Sequence, residues 1–315
     1  MRWAALVLVA GCGRFSFDPR DDAGLASGDT RSDTGPGLDV LPSCGWCVES
    51  STVPDDLAGI WAVTSQDVWA VGGGGTIIHR DAMGWKKVTN PLGANLLDVY
   101  AAASNDVWVV GANGRIGHFD GAAWSATNVG TSVLQSVWRI SSNDIWAVGG
   151  TPTTTLHYNG ATWTPIAAGT TNDLHGVWGA SANDVWAVGD AGTLVHWDGN
   201  AWSPVTTNTT QDLYGLFGVA ANDVWVVGGF GTALHWDGSQ WTPHPIVGNS
   251  GAGAVWASVS NDVWVVAGVY GVFHWDGNWS AVTTMSPGTF LEGITGTAAG
   301  EIYVSAATGI ILRGP

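Results

Sequence analysis

Asn-Asp-Val-Trp and close variants recur along the chain, placing Trp at 69, 108, 146, 186, 225 and 264, at spacings of 39, 38, 40, 39 and 39 residues. A degenerate seventh copy, Glu301-Ile302-Tyr303, follows 39 residues on. A fixed period of this length marks a repeat architecture, in which each unit buries its apolar face only against its neighbours. Two further markers keep the register. His79, His118, His157, His196, His235 and His274 stand 39 residues apart, with Arg313 in the seventh slot. A bulky residue precedes each repeat Trp by eight positions, at Trp61, Tyr100, Trp138, Trp178, Phe217 and Trp256, with Thr295 in the seventh slot.

The fourth copy divides at its turn residues into four apolar runs of strand length: Leu174 to Gly179, Asp184 to Gly189, Thr193 to Asp198 and Ala201 to Thr206. We call these strands a, b, c and d. The punctuation between them is rich in Asn, Asp and Gly, which accept positive φ or bond their own backbone. Val185-Trp186-Ala187-Val188 is apolar on both faces, so both faces of its sheet must be covered. Four-stranded antiparallel units of about 40 residues, stacked face to face, predict an all-β, seven-bladed β-propeller. An open solenoid is the rival arrangement.

The last unit stops after strand c at Arg313-Gly314-Pro315, while Gly45 to Glu49 reads as an orphan strand d. Trp46 precedes Leu57 by 11 residues, as Trp85 precedes Leu96 and Trp202 precedes Leu213. The orphan is therefore expected to complete the last blade and close the ring, hiding two sheet edges that would otherwise pair with other chains. This makes residues 44–315 a single propeller domain.

The chain has 26 acidic against 10 basic residues, a formal charge of −16, and no basic stripe to neutralise phosphates, which disfavours nucleic acid as a partner. Residues 1–12, MRWAALVLVAGC, carry one basic residue, a short apolar run and a small-residue stop, the pattern of an export signal. Leu8-Val9-Ala10-Gly11-Cys12 resembles a bacterial lipobox. The resemblance implies cleavage before Cys12 and lipidation of that residue, anchoring the protein in a membrane. Gly13 at the following position then points to the outer membrane of a Gram-negative envelope. Residues 13–43 contain six Asp among Gly, Ser, Thr and Pro and read as a flexible acidic tether. Random-coil scaling gives that tether a reach of roughly 30 Å.

Cys44 and Cys47 stand as Cys-Gly-Trp-Cys at the start of the orphan strand. In an exported protein the expected reading is a small-loop disulfide. A redox-active pair wants a helix N-terminus, and zinc wants further ligands nearby; neither is apparent here. The repeated His side chains sit on strand c, far from the axis, so a metal ring is not expected. Each is expected to bond within its own blade, for instance to the Asp two residues on, and the repeated Asp before strand b is expected to serve the turn. No cofactor is implied.

The c-to-d segment, as in His196-Trp197-Asp198-Gly199-Asn200-Ala201-Trp202, resembles the Asp-box hairpin of BNR-type propellers, within the wider WD40/YVTN-like group. It departs from that pattern by having His at the first position and by being one residue shorter. In such families the box is a folding element. Sialidases, which share it, imply an Arg triad, a Tyr–Glu nucleophile pair and an Asp acid. The repeat region holds only Arg80, Arg115, Arg139 and Arg313, so sialidase activity is not expected.

Alternating strand direction puts the a-to-b and c-to-d turns on one face of the ring, and the b-to-c turns and d-to-a loops on the other. The first face is monotonous. The second varies, with Gly229-Phe230-Gly231 and Val269-Tyr270-Gly271 among its turns. Function carried on loops predicts binding there. One slot of strand a holds Ala58, Leu97, Gln135, His175, Tyr214, Gly253 and Glu292 in turn, and these should encircle the mouth of the central channel. The candidate ligand-binding residues are thus Gln135, Arg139, His175, Tyr214, Phe230, Tyr270 and Glu292. Arg139 is included because it replaces Gly or Ala in its slot; solvated loop residues are the plain alternative for the whole set. The expected function is a monomeric, non-enzymatic binding or assembly scaffold tethered in the cell envelope, with a protein or glycan ligand. The alternatives are a lectin-like glycan binder and a glycan hydrolase or lyase using His175 and Glu292.

Overall fold

A computed structural model describes residues 45–315 apart from 52, 151, 249–250, 269–270 and 284–289. Cys12, Cys44, Tyr270, the leader and the tether lie outside the described residues. The chain forms seven antiparallel four-stranded sheets. Strand a of each blade touches strand a of the next, and that of blade 7 touches that of blade 1, so the ring is closed and the open solenoid is excluded. In blade 1 strands a to d are Leu57–Thr64, Asp67–Gly72, Ile77–Asp81 and Gly84–Lys87. In blade 4 they are Leu174–Ser181, Asp184–Gly189, Thr193–Trp197 and Trp202–Pro204.

Blade 7 takes Leu291–Gly296, Ile302–Ala306 and Ile310–Gly314 from the end of the chain and Cys47–Ser50 from its beginning. The register runs antiparallel from Cys47 opposite Arg313 to Ser50 opposite Ile310. Cys47 is a half-cystine.

The core is divided among the seams. Each buried cluster joins strands of two adjacent blades; one unites Trp69, Val71 and Ile77 of blade 1 with Leu96, Val99 and Val109 of blade 2. This follows from strand b being apolar on both faces, since each face needs its own neighbouring sheet. In blades 1 to 5 the repeat Trp of strand b packs against aromatics of strands c and d in the following blade. Trp69 lies 6.0 Å from Phe119 and 6.1 Å from Trp124, and Trp186 lies 5.6 Å from Trp236 and 5.4 Å from Trp241. Edge and tilted contacts at these spacings suit the ring quadrupoles.

The repeated His and Asp pair inside each of blades 1 to 6, and in blades 1, 2, 4 and 6 the Asp also accepts the indole N–H of the repeat Trp. Asp67 accepts from the Trp69 indole at 2.9 Å and lies 2.8 Å from His79 Nε2, while the His79 ring stacks on Trp69 at 4.0 Å. Asp184, Trp186 and His196 repeat the arrangement in blade 4. The expected partner of the His, the Asp two residues on, is thus corrected. That Asp turns into the c-to-d hairpin, where Asp198 accepts the N–H groups of Asn200 and Ala201 at 2.9 Å each. The physical reason is register. Trp69 pairs with His79, so Asp67, two residues back on the same face, stands diagonally beside the imidazole.

The closing seam departs from this pattern. Where the seam of blades 1 and 2 uses Val88 and Phe119, the seam of blades 7 and 1 has Glu49 and Arg80 in the equivalent slots. Glu49 accepts from Arg80 Nε at 3.0 Å and from the Trp85 indole at 2.8 Å, and lies 3.6 Å from Arg313 Nη1. Arg313 also pairs with Glu301, and Arg80 reaches the Ser65 carbonyl. All of the charged members are largely shielded from solvent.

Candidate functional site

Strand a lines the axis, and a repeated irregularity sets its side chains there. The pairing of strands a and b slips between Leu57 and Gly59, Leu96 and Asp98, Leu134 and Ser136, Leu174 and Gly176, Leu213 and Gly215, and Leu291 and Gly293. The residues skipped are Ala58, Leu97, Gln135, His175, Tyr214 and Glu292, the same slot that the sequence singles out. A β-bulge leaves one residue unpaired and re-aims its side chain. Here the whole slot, with Gly253, lines one axial cavity of about 190 Å³. The bulge also fixes the glycine that ends strand b. A Cβ on Gly189 would run into the carbonyl oxygen of Asp173, just before the bulge, so no larger residue fits without moving backbone.

The cavity is a cup rather than a bore. Its lining runs from the bulge residues at the varied face down strand a to Trp61, Trp138, Phe217 and Trp256. At 3.3 Å per residue that span is roughly 10 Å deep. Trp138 belongs to blade 3, yet its ring lies 5.5 Å from Trp61, 5.0 Å from Tyr100, 6.1 Å from Trp178 and 6.0 Å from Phe217. Contact with blades 1, 2, 4 and 5 at once places the indole across the axis, and its N–H donates to the Gly179 carbonyl at 2.8 Å. The rings therefore floor the cup.

The wall is polar and acidic. Asp98 fills a position held by Gly in most blades; its carboxylate accepts from Ser136 Oγ at 2.8 Å and from the backbone N–H of Val137 at 2.9 Å and Val99 at 2.8 Å. Burial pushes its carboxyl up to about 6 despite these donors. Glu292 is also raised, by burial first and then by the negative charge of Asp56, and among the described residues nothing donates a hydrogen bond to it. His175 Nε2 lies 2.6 Å from Asp190 Oδ1, and the His175 and Tyr214 rings lie 5.6 Å apart. Burial, then the charges of Asp212 and Asp190, raise the Tyr214 phenol. Asp98 and Ser136 were not singled out in the sequence; the signal present was a polar residue where the repeat carries Gly.

The other candidates fall elsewhere. Arg139 does not line the cup. It stands farther along strand a, paired with Asp106 Oδ2 at 3.0 Å and close to Tyr100. Phe230 stands in the b-to-c turn of blade 5 with φ 54° and is 78% exposed. A bulky residue in left-handed backbone with its ring in water is unfavourable on both counts. Tyr214, Phe230 and Phe290 are the exposed aromatics among the described residues, and all three stand on the varied face. Part of that face is structural, however. The side chains of Asp56, Asn95 and Asp212 accept backbone N–H groups from b-to-c turns of the preceding blades, at Thr308, Gly74 and Ala191. Among the described residues no group of three or more His, Cys, Asp and Glu converges as a metal site requires.

The structure described as YCF48 bound to D1 peptide matches this chain with a TM-score of 0.71 at 16% identity, covering 87% of this chain and 98% of that one. A streptogramin B lyase structure matches with a TM-score of 0.74 at 15% identity, covering 85% and 97%. The WD40 β-propeller domain of Doa1 matches with 0.72 at 14% identity, covering 85% and 96%. At such identities the likeness shows a shared seven-bladed, WD40-like propeller fold and nothing of activity. No protein-family model matches the sequence, and no curated protein matches it.

Proposed function

We propose that the protein is a binding scaffold without catalytic activity, and that a segment of a protein partner docks across the varied face with one side chain in the axial cup. The observation that carries this reading is the cup itself, floored by aromatics and open toward the face that bears the exposed Tyr214, Phe230 and Phe290. Its volume of about 190 Å³ falls below the roughly 300–1,000 Å³ of pockets that enclose small molecules, which favours one side chain of a larger partner over a whole ligand. The likeness to a propeller solved with a peptide bound is compatible with this. Glycan binding is the less favoured reading, because the Trp residues that suggest it are spent in the seams. In this account the protein acts as a monomer on the outer membrane of a cell envelope, held through lipidated Cys12 and the tether of residues 13–43.

Replacing His175, Tyr214 and Glu292 together by Ala tests the site. Pull-down from detergent-solubilised envelopes is expected to recover a stoichiometric protein partner with the parent chain and at least about tenfold less with the triple variant. Equal recovery removes the cup from the interface. Saturable binding on a glycan array with no protein partner replaces the scaffold reading by the lectin-like one.

A further inference from the structure

We propose that the cup selects a basic side chain, the Lys ammonium or Arg guanidinium of a peptide segment. This inference rests on the docking reading above and names the chemistry of its occupant. Three independent features of the lining converge on it. The rings of Trp61, Trp138, Phe217 and Trp256 line the lower part, and aromatic faces attract cations through their quadrupole. Asp98 and Glu292 stand in the wall above them, and Glu292 has no donor among the described residues. Among the described residues no Lys or Arg lines the cup.

The surroundings reinforce the sign. Asp56 lies near enough to Glu292 to raise it, and Asp190 and Asp212 flank the His175 and Tyr214 pair at the rim. Partly enclosed by low-dielectric walls, such a set of charges focuses a negative potential on the axis and draws a cation inward. An acidic side chain would meet repulsion from every carboxylate there. A neutral apolar one would strip water from Glu292 and return no hydrogen bond. An ammonium or guanidinium gives Glu292 the donor it lacks, adds its charge beside Asp98, and packs its stem on the indoles. The volume of about 190 Å³ suits one such side chain.

The test uses the whole chain, detergent-solubilised, on an immobilised positional-scanning library of acetylated, amidated hexapeptides. Retention is expected to rise with Lys or Arg at one central position and to fall at least about tenfold when that residue is norleucine. The selected peptide is also expected to bind about tenfold more weakly to Glu292→Gln, and progressively more weakly as salt is raised from low ionic strength. Asp98→Asn serves as a second variant should Glu292→Gln be poorly folded. Selection of a neutral or acidic residue, with binding still lost in Tyr214→Ala, overturns the inference and leaves the docking reading standing. Lys- or Arg-dependent binding that ignores both carboxamide variants places the cation elsewhere on the acidic surface and also overturns it. Retention of no peptide overturns it as well, and the docking reading is then decided by the partner pull-down.

Discussion

Removing residues 44–52 is expected to lower the melting temperature by more than about 10 °C and to make the chain prone to association. The strand Cys47–Ser50 is the outer strand of blade 7, and without it the edge of Ile310–Gly314 is bare. The larger cost lies in the seam. Glu49 carries one end of a shielded network with Arg80, Arg313 and the Trp85 indole; among the described residues, its loss leaves the Arg80 guanidinium without a carboxylate and Arg313 with Glu301 alone. Breaking a buried pair by removing one partner costs about 3 kcal/mol or more. Glu49→Ala alone should therefore lower the melting temperature by about 6–12 °C. The double change Glu49→Val with Arg80→Phe copies the Val88 and Phe119 of the neighbouring seam, and should recover most of the loss, because well-packed apolar groups replace buried ion pairs at little cost. Thermal melts of the parent and the three variants decide this. An unchanged melting temperature on deletion contradicts the latch, and a double variant no better than Glu49→Ala contradicts the role given to the charges.

The second large effect is expected at Trp138. Its ring meets Trp61, Tyr100, Trp178 and Phe217, so one side chain ties together four blades besides its own. Trp138→Ala removes those contacts, orphans the Gly179 carbonyl and opens the floor of the cup. Truncating a large aromatic in such a position costs about 4 kcal/mol, a fall of roughly 8–16 °C for a domain of this size. Trp138→Phe keeps a ring across the axis and should lose less than half as much. A Trp138→Ala variant that melts with the parent would show that the floor bears little of the stability.

The ring and its blade boundaries were legible in the sequence because a repeat reports its own register. Three markers at one period place strands a, b and c, and the early Trp46 betrays the displaced strand d. The slot of Gln135, His175, Tyr214 and Glu292 was legible for the same reason, as a position that varies inside an otherwise constant unit. What put those side chains at the mouth was not legible, since a bulge is a property of pairing between two strands and the glycine it requires at the end of strand b reads in the sequence as an ordinary turn glycine. The same limit explains the misassigned partner of the repeated His. Asp67 is 12 residues from His79 in sequence and Asp81 only two, yet the antiparallel register brings the distant one alongside. Arg139 shows the converse, an irregular residue in a regular slot whose side chain pairs with Asp106 beside Tyr100 and does not line the cup. The aromatic floor escaped because eight residues of spacing say that Trp138 repeats, not that it reaches across the axis. Asp98 and Ser136 were visible as polar departures from Gly, but their meaning depends on facing each other across adjacent blades.

The central claim is that partners engage the open end of the cup, and site-specific photo-cross-linking tests it most directly. A benzophenone side chain placed at Tyr214, on the rim of the cup, is compared in intact envelopes with one at Met83, which is 86% exposed in a c-to-d turn on the opposite face. The account expects a discrete protein adduct from position 214 and none from position 83. Adducts of equal yield from both positions, or from position 83 alone, would contradict it.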